Sequence, residues 1–281
     1  MILIFPIYLK WVLGMNSKKI DIIKIGGSVI TNKGEYRSLR KKQLSLICKE
    51  ISKWDRKCII VHGAGSFGHI IAKQYSIHLG FSYQEQMKGI FQIRKDMTEL
   101  SEIVVNSLVE EGVKALSFQT SAIISENKSG YDVNFNSIKK ALTLDLTPVL
   151  AGDIIFTEKE GFRILSGDTL ANILANNFEI NRVIFISDID GIYIRNKDTG
   201  EDELATSLSK DDLDFISISI LQQSDSNDVT GDMKGKISAI KSLLEQVSEV
   251  IVINGNYPKR LTSIQNSENF IGTILIAKKS T

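Results

Sequence analysis

The chain is short of cysteine, proline, histidine and net charge, and each shortage closes off a class of protein. Two cysteines in 281 residues, Cys48 and Cys58, are too few for a disulfide framework. Both sit in apolar runs, the setting of buried thiols in a reducing compartment, which points to the cytoplasm. Three prolines leave no proline-rich linker. With 34 basic and 33 acidic residues the formal charge is +1, without the basic excess of a nucleic-acid binder. What remains is ordinary globular material, 43% hydrophobic and 24% charged, long enough for one large domain or two smaller ones.

Residues 1–14 are mostly apolar and interrupted by Lys10. They lack a basic start before the apolar run, so they make a poor signal peptide, and they are too short to span a bilayer. Met15 and the polar Asn16-Ser17-Lys18-Lys19 follow before the first clear strand. Two readings stand: an extension created by a start codon assigned upstream, or an extra element packed on the body.

The rest of the chain is organised around residues 57–69. Ile59-Ile60-Val61 reads as a buried strand, and Gly63-Ala64-Gly65-Ser66-Phe67-Gly68 follows at once. Backbone amides in such a turn can close around an anion, most often phosphate. His62 and His69 flank it.

An earlier strand at 21–25 carries Lys24 and ends in Gly26-Gly27-Ser28. Lys24 reads as an edge lysine or as a cation aimed at a bound anion. Lys33 follows in an expected loop. Leu44, Ile47, Cys48, Ile51 and Trp54 keep helical spacing. Residues 84–111 form the longest helical stretch. Ile90, Ile93, Met97, Leu100, Val104 and Leu108 mark one face, and Gly112 is the stop. Core packing explains this face, while its first part could wall an apolar pocket.

Strands are expected at 114–118 and 148–150, the second running into Ala151-Gly152-Asp153. Residues 154–156 and 162–165 read as a hairpin. Ser166-Gly167-Asp168-Thr169 offers N-cap chemistry for a helix through Ala175, with Asp168 as a candidate cap. A strand at 182–186 leads into the acidic turn Ser187-Asp188-Ile189-Asp190-Gly191. Residues 195–228 are polar and read as an exposed excursion. Residues 229–236 lead into a helix carrying Ile237, Ile240, Leu244 and Val247, and strands at 250–253 and 273–276 close the chain. Alternating strands and helices imply a mostly parallel sheet with helices on both faces. Ligands of such folds bind beyond the carboxyl ends of strands, where these glycine and acidic turns fall.

The glycine turn matches G-x-G-x-x-G after a strand, which raises a dinucleotide site. That reading wants an acidic residue ending a second strand about 20 residues on, and here the region around Glu85 enters the long helix. No G-x-x-x-x-G-K-[ST] occurs, so an ordinary P-loop is excluded.

Four motifs in order resemble the amino acid kinase superfamily: Lys24-Ile25-Gly26-Gly27-Ser28, the glycine turn, the acidic turn at 187–191, and Asp228-Val229-Thr230-Gly231 through Lys236. The stretch from His62 to His69 narrows the likeness to the isopentenyl phosphate kinases, over roughly residues 20–277; the fosfomycin kinases share a similar loop. The resemblance implies an open αβα sandwich in one domain over 15–281, with 15–165 binding the acceptor and 166–281 binding ATP. It implies transfer of the γ-phosphoryl of ATP, with Mg2+, to isopentenyl phosphate, giving isopentenyl diphosphate for isoprenoid biosynthesis by an alternative mevalonate route. It also implies a homodimer acting on a small molecule, with no nucleic-acid or membrane partner.

Roles follow by the same resemblance. Gly63, Ala64, Gly65 and Gly68 receive the acceptor phosphate with Lys33 and Gly152, and His69 donates to it. Lys24 meets the transferring phosphoryl group, Lys236 touches the ATP phosphates, and Asp168 holds these lysines. Gly26, Gly27, Ser28, Asp188, Asp190, Gly191 and Gly231 fall where the family binds nucleotide. Ile90, Ile93, Met97, Ile154 and Ile164 are the candidate tail pocket. No metal ligand is assigned. Two residues depart from the family pattern: Asp232 replaces a second glycine, and Ile70 replaces a proline after His69. A non-catalytic nucleotide binder of the same fold remains the reading from another class.

Overall fold

β-Branched runs build the centre of the molecule. The structure, a computed structural model, describes residues 20–196, 199–213 and 229–277, without side chains at 229–234. The extension at 1–14 lies outside the described residues. The first half contains β1 (Ile20–Ile25), α1 (Gly27–Ile30), α2 (Lys41–Ile51), β2 (Cys58–His62), α3 (Gly65–Gln74), α4 (Gln86–Glu110) and β3 (Ala115–Ser117). It continues with α5 (Thr120–Ile123), β4 (Ile124–Asn127), β5 (Gly130–Val133), α6 (Asn136–Thr143), β6 (Thr147–Ala151), β7 (Asp153–Thr157) and β8 (Gly161–Leu165). The second half contains α7 (Gly167–Asn177), β9 (Ile180–Ser187), β10 (Tyr193–Arg195), β11 (Asp202–Leu204) and β12 (Ser207–Ser209). It ends with α8 (Val229–Leu243), β13 (Glu249–Asn254), α9 (Lys259–Gln265) and β14 (Thr273–Ile276).

An 8-stranded sheet runs in the order β12-β14-β13-β9-β1-β2-β6-β3. Its pairs are parallel except β13 with β14. Side chains alternate across it: Ile22, Val61 and Phe185 enter one core, and Ile23, Ile25, Ile60 and Ile184 enter the other. A sheet buried on both faces needs this continuous apolar sequence, which is why the inner strands read so clearly. From β1 the chain moves out to β2, β3 and β6 on one side, then β9 returns beside β1 on the other. The carboxyl end of β1 is therefore a topological switch point, where the flanking loops diverge and leave a crevice.

Several expected elements differ. The hairpin of β7 and β8 is part of a 4-stranded sheet, β5-β4-β7-β8. β4 and β5 are short, Ile-Ser-Glu-Asn and Gly-Tyr-Asp-Val; β4 shows no alternation, and β5 alternates over only four residues. The excursion after Arg195 is partly structured: β10 and β11 form an antiparallel hairpin, and β12 joins the main sheet beside β14. Its remainder, 214–228, lies outside the described residues. Ser166, not Asp168, caps α7, accepting from the Thr169 amide at 3.0 Å. The helix of Lys236 begins at Val229, so Gly231 is helical rather than part of a lead-in.

Both cysteines are buried, and burial is the leading cause that pushes each thiol up to about 12. His62 is fully buried at the end of β2. Its Nδ1 lies 3.2 Å from the Gly63 carbonyl, which only accepts, so the proton is on Nδ1. Nε2 then accepts from the Ser101 hydroxyl at 3.0 Å.

Burial pushes His62 down to about 4, with the Gly63 bond offsetting only part of it. The unfolded chain takes up this proton near pH 6.5 and the folded chain resists it, so the neutral ring contributes stability above about pH 6.5 that is lost toward pH 4. Denaturant unfolding at pH 7 and pH 4 is expected to differ by about 3 kcal/mol more in the native chain than in His62→Gln. Equal pH dependence in the two proteins counts against it.

Candidate active site

Two glycine turns meet at the carboxyl ends of β1 and β2. A methyl group on Gly27 would lie 2.2 Å from the Gly65 nitrogen, and one on Gly63 would lie 2.6 Å from the Gly27 nitrogen. Gly65 has φ +48°, and its methyl would strike Thr31 Oγ1 at 2.1 Å. Only backbone fits here, and only glycine leaves backbone bare. The Gly63 amide donates to the Ile25 carbonyl at 2.9 Å, and the Ser66 amide to Thr31 Oγ1 at 3.0 Å. The two loops thus form one unit.

A cavity of about 800 Å³ opens over this unit. Its polar part is lined by Lys24, Lys33, His69, Asp168 and Lys236, with Gly26, Gly27, Ser28, Gly63, Ala64, Gly65, Gly68 and Gly152 supplying backbone. Ile93, Met97, Ile154 and Ile164 line the same cavity. Ile90 does not: it is half-buried against the core. Ile70 stands in the lining too.

The charged groups arrive from separate elements. Lys24 near the end of β1 holds Nζ 2.6 Å from Asp168 Oδ1, in the first turn of α7, with both side chains largely buried. Its Nζ also lies 5.7 Å from the Phe185 ring centroid. Asp168 Oδ1 is buried, and the Lys24 ammonium is the charge that compensates it. A methyl at Gly167 would be 3.4 Å from Lys24 Cε, so the glycine lets the aliphatic stem pass. From α8, Lys236 donates to Ser187 Oγ at 2.8 Å, while being only 8% exposed. Lys33 reaches Asp188 at 2.8 Å from the loop after α1. Burial pushes Asp188 up, but the Lys33 bond and charge, with Lys236 nearby, carry it below the ordinary carboxylate value. His69 is exposed on α3, facing the cavity it lines.

The acidic turn divides. Asp188 and Ser187 approach the lysines, whereas Asp190 is held by Arg260 at 2.5 Å and Asn254 at 3.3 Å. The Arg260 bond is the main cause that keeps the Asp190 carboxyl low. A methyl on Gly191 would meet Thr273 Oγ1 at 2.4 Å, so this glycine packs against β14. Asp188, Asp190 and Gly191 do not line the cavity. Gly231 lies on α8 among residues without described side chains, as does Asp232.

A model of the amino acid kinase family matches residues 19–254. The chain belongs to the amino acid kinase family. It is 31% identical over 255 residues to the isopentenyl phosphate kinase of Thermoplasma acidophilum, covering 90% of this chain and 99% of that one. It is 32% identical over 249 residues to the isopentenyl phosphate kinase of Methanocaldococcus jannaschii, covering 84% and 91%. A crystal structure of an isopentenyl phosphate kinase substrate complex aligns with a TM-score of 0.75 at 27% identity, over 91% of this chain and 99% of that chain. A carbamate kinase from Giardia lamblia, at 14% identity and a TM-score of 0.67, shares the fold.

The sequence reading gave no role to Thr31, Ser66, Ser187 or Arg94, whereas Asp153 fell in the Gly152-Asp153 turn that resembles a family turn near the acceptor. Thr31, Ser66 and Ser187 bind the loops and Lys236, and Arg94 and Asp153 stand beside the apolar end. Ser66 lies inside the glycine motif and was accessible there; Thr31 carried no signal.

The glycine contact is testable. Gly27→Ala is expected to lower stability by about 1–3 kcal/mol, because its methyl meets backbone that cannot give way. Gly235→Ala is the control: its methyl meets nothing within 4 Å, inside α8. That change should be neutral or stabilising by up to about 1 kcal/mol. Equal responses in denaturant melts would show that the turns are not in contact.

Proposed function

We propose that this kinase transfers the γ-phosphoryl group of ATP to the phosphate of isopentenyl phosphate, forming isopentenyl diphosphate and ADP. The observation that carries the reading is one cavity with two unlike parts, a glycine cradle ringed by Lys24, Lys33, His69 and Lys236, and an apolar wall of Ile93, Met97, Ile154 and Ile164. The isopentenyl phosphate kinases it resembles support the same choice. A five-carbon tail has no polar handle, and at about 0.8 kcal/mol per buried CH₂ such a wall contributes a few kcal/mol. Fosfomycin, small and polar, gains little from it.

A phosphate monoester has its second pKa near 6, so the attacking oxygen is already anionic at neutral pH and no general base is needed. The new bond forms between that oxygen and the γ-phosphorus as the bond to the β-phosphate oxygen breaks. The difficulty is bringing two polyanions together, so positioning and positive charge carry the catalysis. In this reading Lys24 meets the transferring group, held by Asp168, and Lys236 meets the ATP phosphates. His69 and Lys33 meet the acceptor phosphate. The amides of Gly63 and Ser66 are engaged within the fold, and the rest of the turn, at the positive end of α3, receives that phosphate in this reading.

Mg2+ accompanies ATP in this reading. Among the described residues no group of three His, Cys, Asp or Glu is placed to hold a metal ion. The oxygen donors present, the Asp168 carboxylate and the Ser187 hydroxyl, are of the kind that would hold a hard cation together with the phosphates. When bound, it neutralises charge on the triphosphate. We assign the acceptor to residues 15–165, the nucleotide to 166–281, and the active form to a homodimer in the cytoplasm. Among the described residues no helix is long and apolar enough to cross a membrane.

ADP release from Mg-ATP should be seen with isopentenyl phosphate and not with fosfomycin. His69→Ala should lower kcat roughly 100-fold while ATP binding, followed by calorimetry, survives. Silence with every acceptor despite ATP binding would favour a non-catalytic binder.

A further inference from the structure

We propose that Arg94 sets the length of tail the acceptor pocket admits; the proposal rests on reading the cavity as a prenyl phosphate site. Arg94 stands on α4 beside Ile93 and one turn before Met97, both of which line the cavity. Its guanidinium leaves the helix for β7. Nη1 donates to Asp153 Oδ2 at 2.7 Å, and Nη2 donates to the Ile154 carbonyl at 3.2 Å. Ile154 lines the same cavity. One planar cation therefore ties two apolar walls together at two points, which fixes direction as well as distance.

The anchor is itself rigid. Asp153 is buried, its Oδ2 also accepts from the Ser121 amide at 3.1 Å, and its Oδ1 accepts from the Ile154 amide at 2.8 Å. Asp153 is among the residues that line the cavity, so its charge lies at the edge of the space that an anionic acceptor must enter. Arg94 neutralises it there. The two duties are separable. Charge balance governs how well any phosphate enters, and the cross-link governs how far α4 stands from β7. An apolar wall rejects a longer chain only while it cannot yield, and a slack of about 1 Å is enough to lose that rejection.

The test uses wild type, Arg94→Met, Arg94→Lys and the double variant Arg94→Met with Asp153→Asn. Kinetics are measured with isopentenyl phosphate, geranyl phosphate and ATP, alongside thermal melts. Arg94→Met is expected to lose about tenfold or more of its preference for the shorter acceptor, through the acceptor KM, with the KM for ATP within about twofold of wild type. The double variant should recover affinity for isopentenyl phosphate, since the bare carboxylate is gone. It should not recover the preference, since the cross-link is still missing. Arg94→Lys keeps the charge and one contact and should lose about threefold.

An unchanged preference in folded Arg94→Met overturns the proposal, as does an equal rise in the KM for ATP. Should that variant fail to fold, an unchanged preference in Arg94→Lys overturns it. A wild type that turns over neither acceptor overturns the acceptor reading and the proposal together. An active wild type with unmoved variants overturns the proposal alone.

Discussion

The contact between two bare backbones, at Gly27 and Gly65, is the constraint on which the rest of the site depends. β1 and β2 are parallel neighbours, so their carboxyl ends deliver two turns to one place. Any side chain at Gly27, Gly63 or Gly65 would hold those turns apart. With them together, the amino end of α3 is set against the end of β1, and Lys24 and His69 come to line one cavity. The glycines are needed for close approach more than for flexibility, and the hydrogen bonds of Thr31 then hold the arrangement still.

Charge in and around the cavity is balanced by pairs drawn from different elements. Lys24 has Asp168 from α7, Lys33 has Asp188 from the end of β9, and Arg94 has Asp153 from β7. A cation held by a carboxylate keeps its charge and loses rotamer freedom, so it meets an anionic ligand without further reorganisation. The same pairs keep the gathered lysines from repelling one another. Buried His62 belongs to the frame: its neutral ring ties the glycine turn to α4 through Gly63 and Ser101.

Local chemistry made much of this legible. Turn glycines after apolar strands, a lysine before two glycines and an acidic residue at a helix start declare themselves over a few residues. The continuous apolar strands and the long helix were equally plain, because burial on both faces of a sheet leaves no alternation to misread. The short strands β4 and β5 escaped, since their pairing comes from neighbours and not from their own composition. Ile90 kept the helical spacing of Ile93 and Met97 and still falls outside the cavity lining, because spacing assigns a face and not the depth at which a cavity crosses it.

The amino-acid order alone determined the alternation of strands and helices and the glycine turns at strand ends. These follow from backbone sterics and hydrophobic period, which act over one or two turns of chain. Tertiary structure alone decided which cation meets which carboxylate. It placed Arg94 on Asp153, 59 residues away, and Thr31 on Ser66, 35 residues away. It also sent Asp190 to Arg260 and away from the cavity. Such contacts are settled by the order of strands in the sheet and by packing against it, and no short stretch of sequence carries that order.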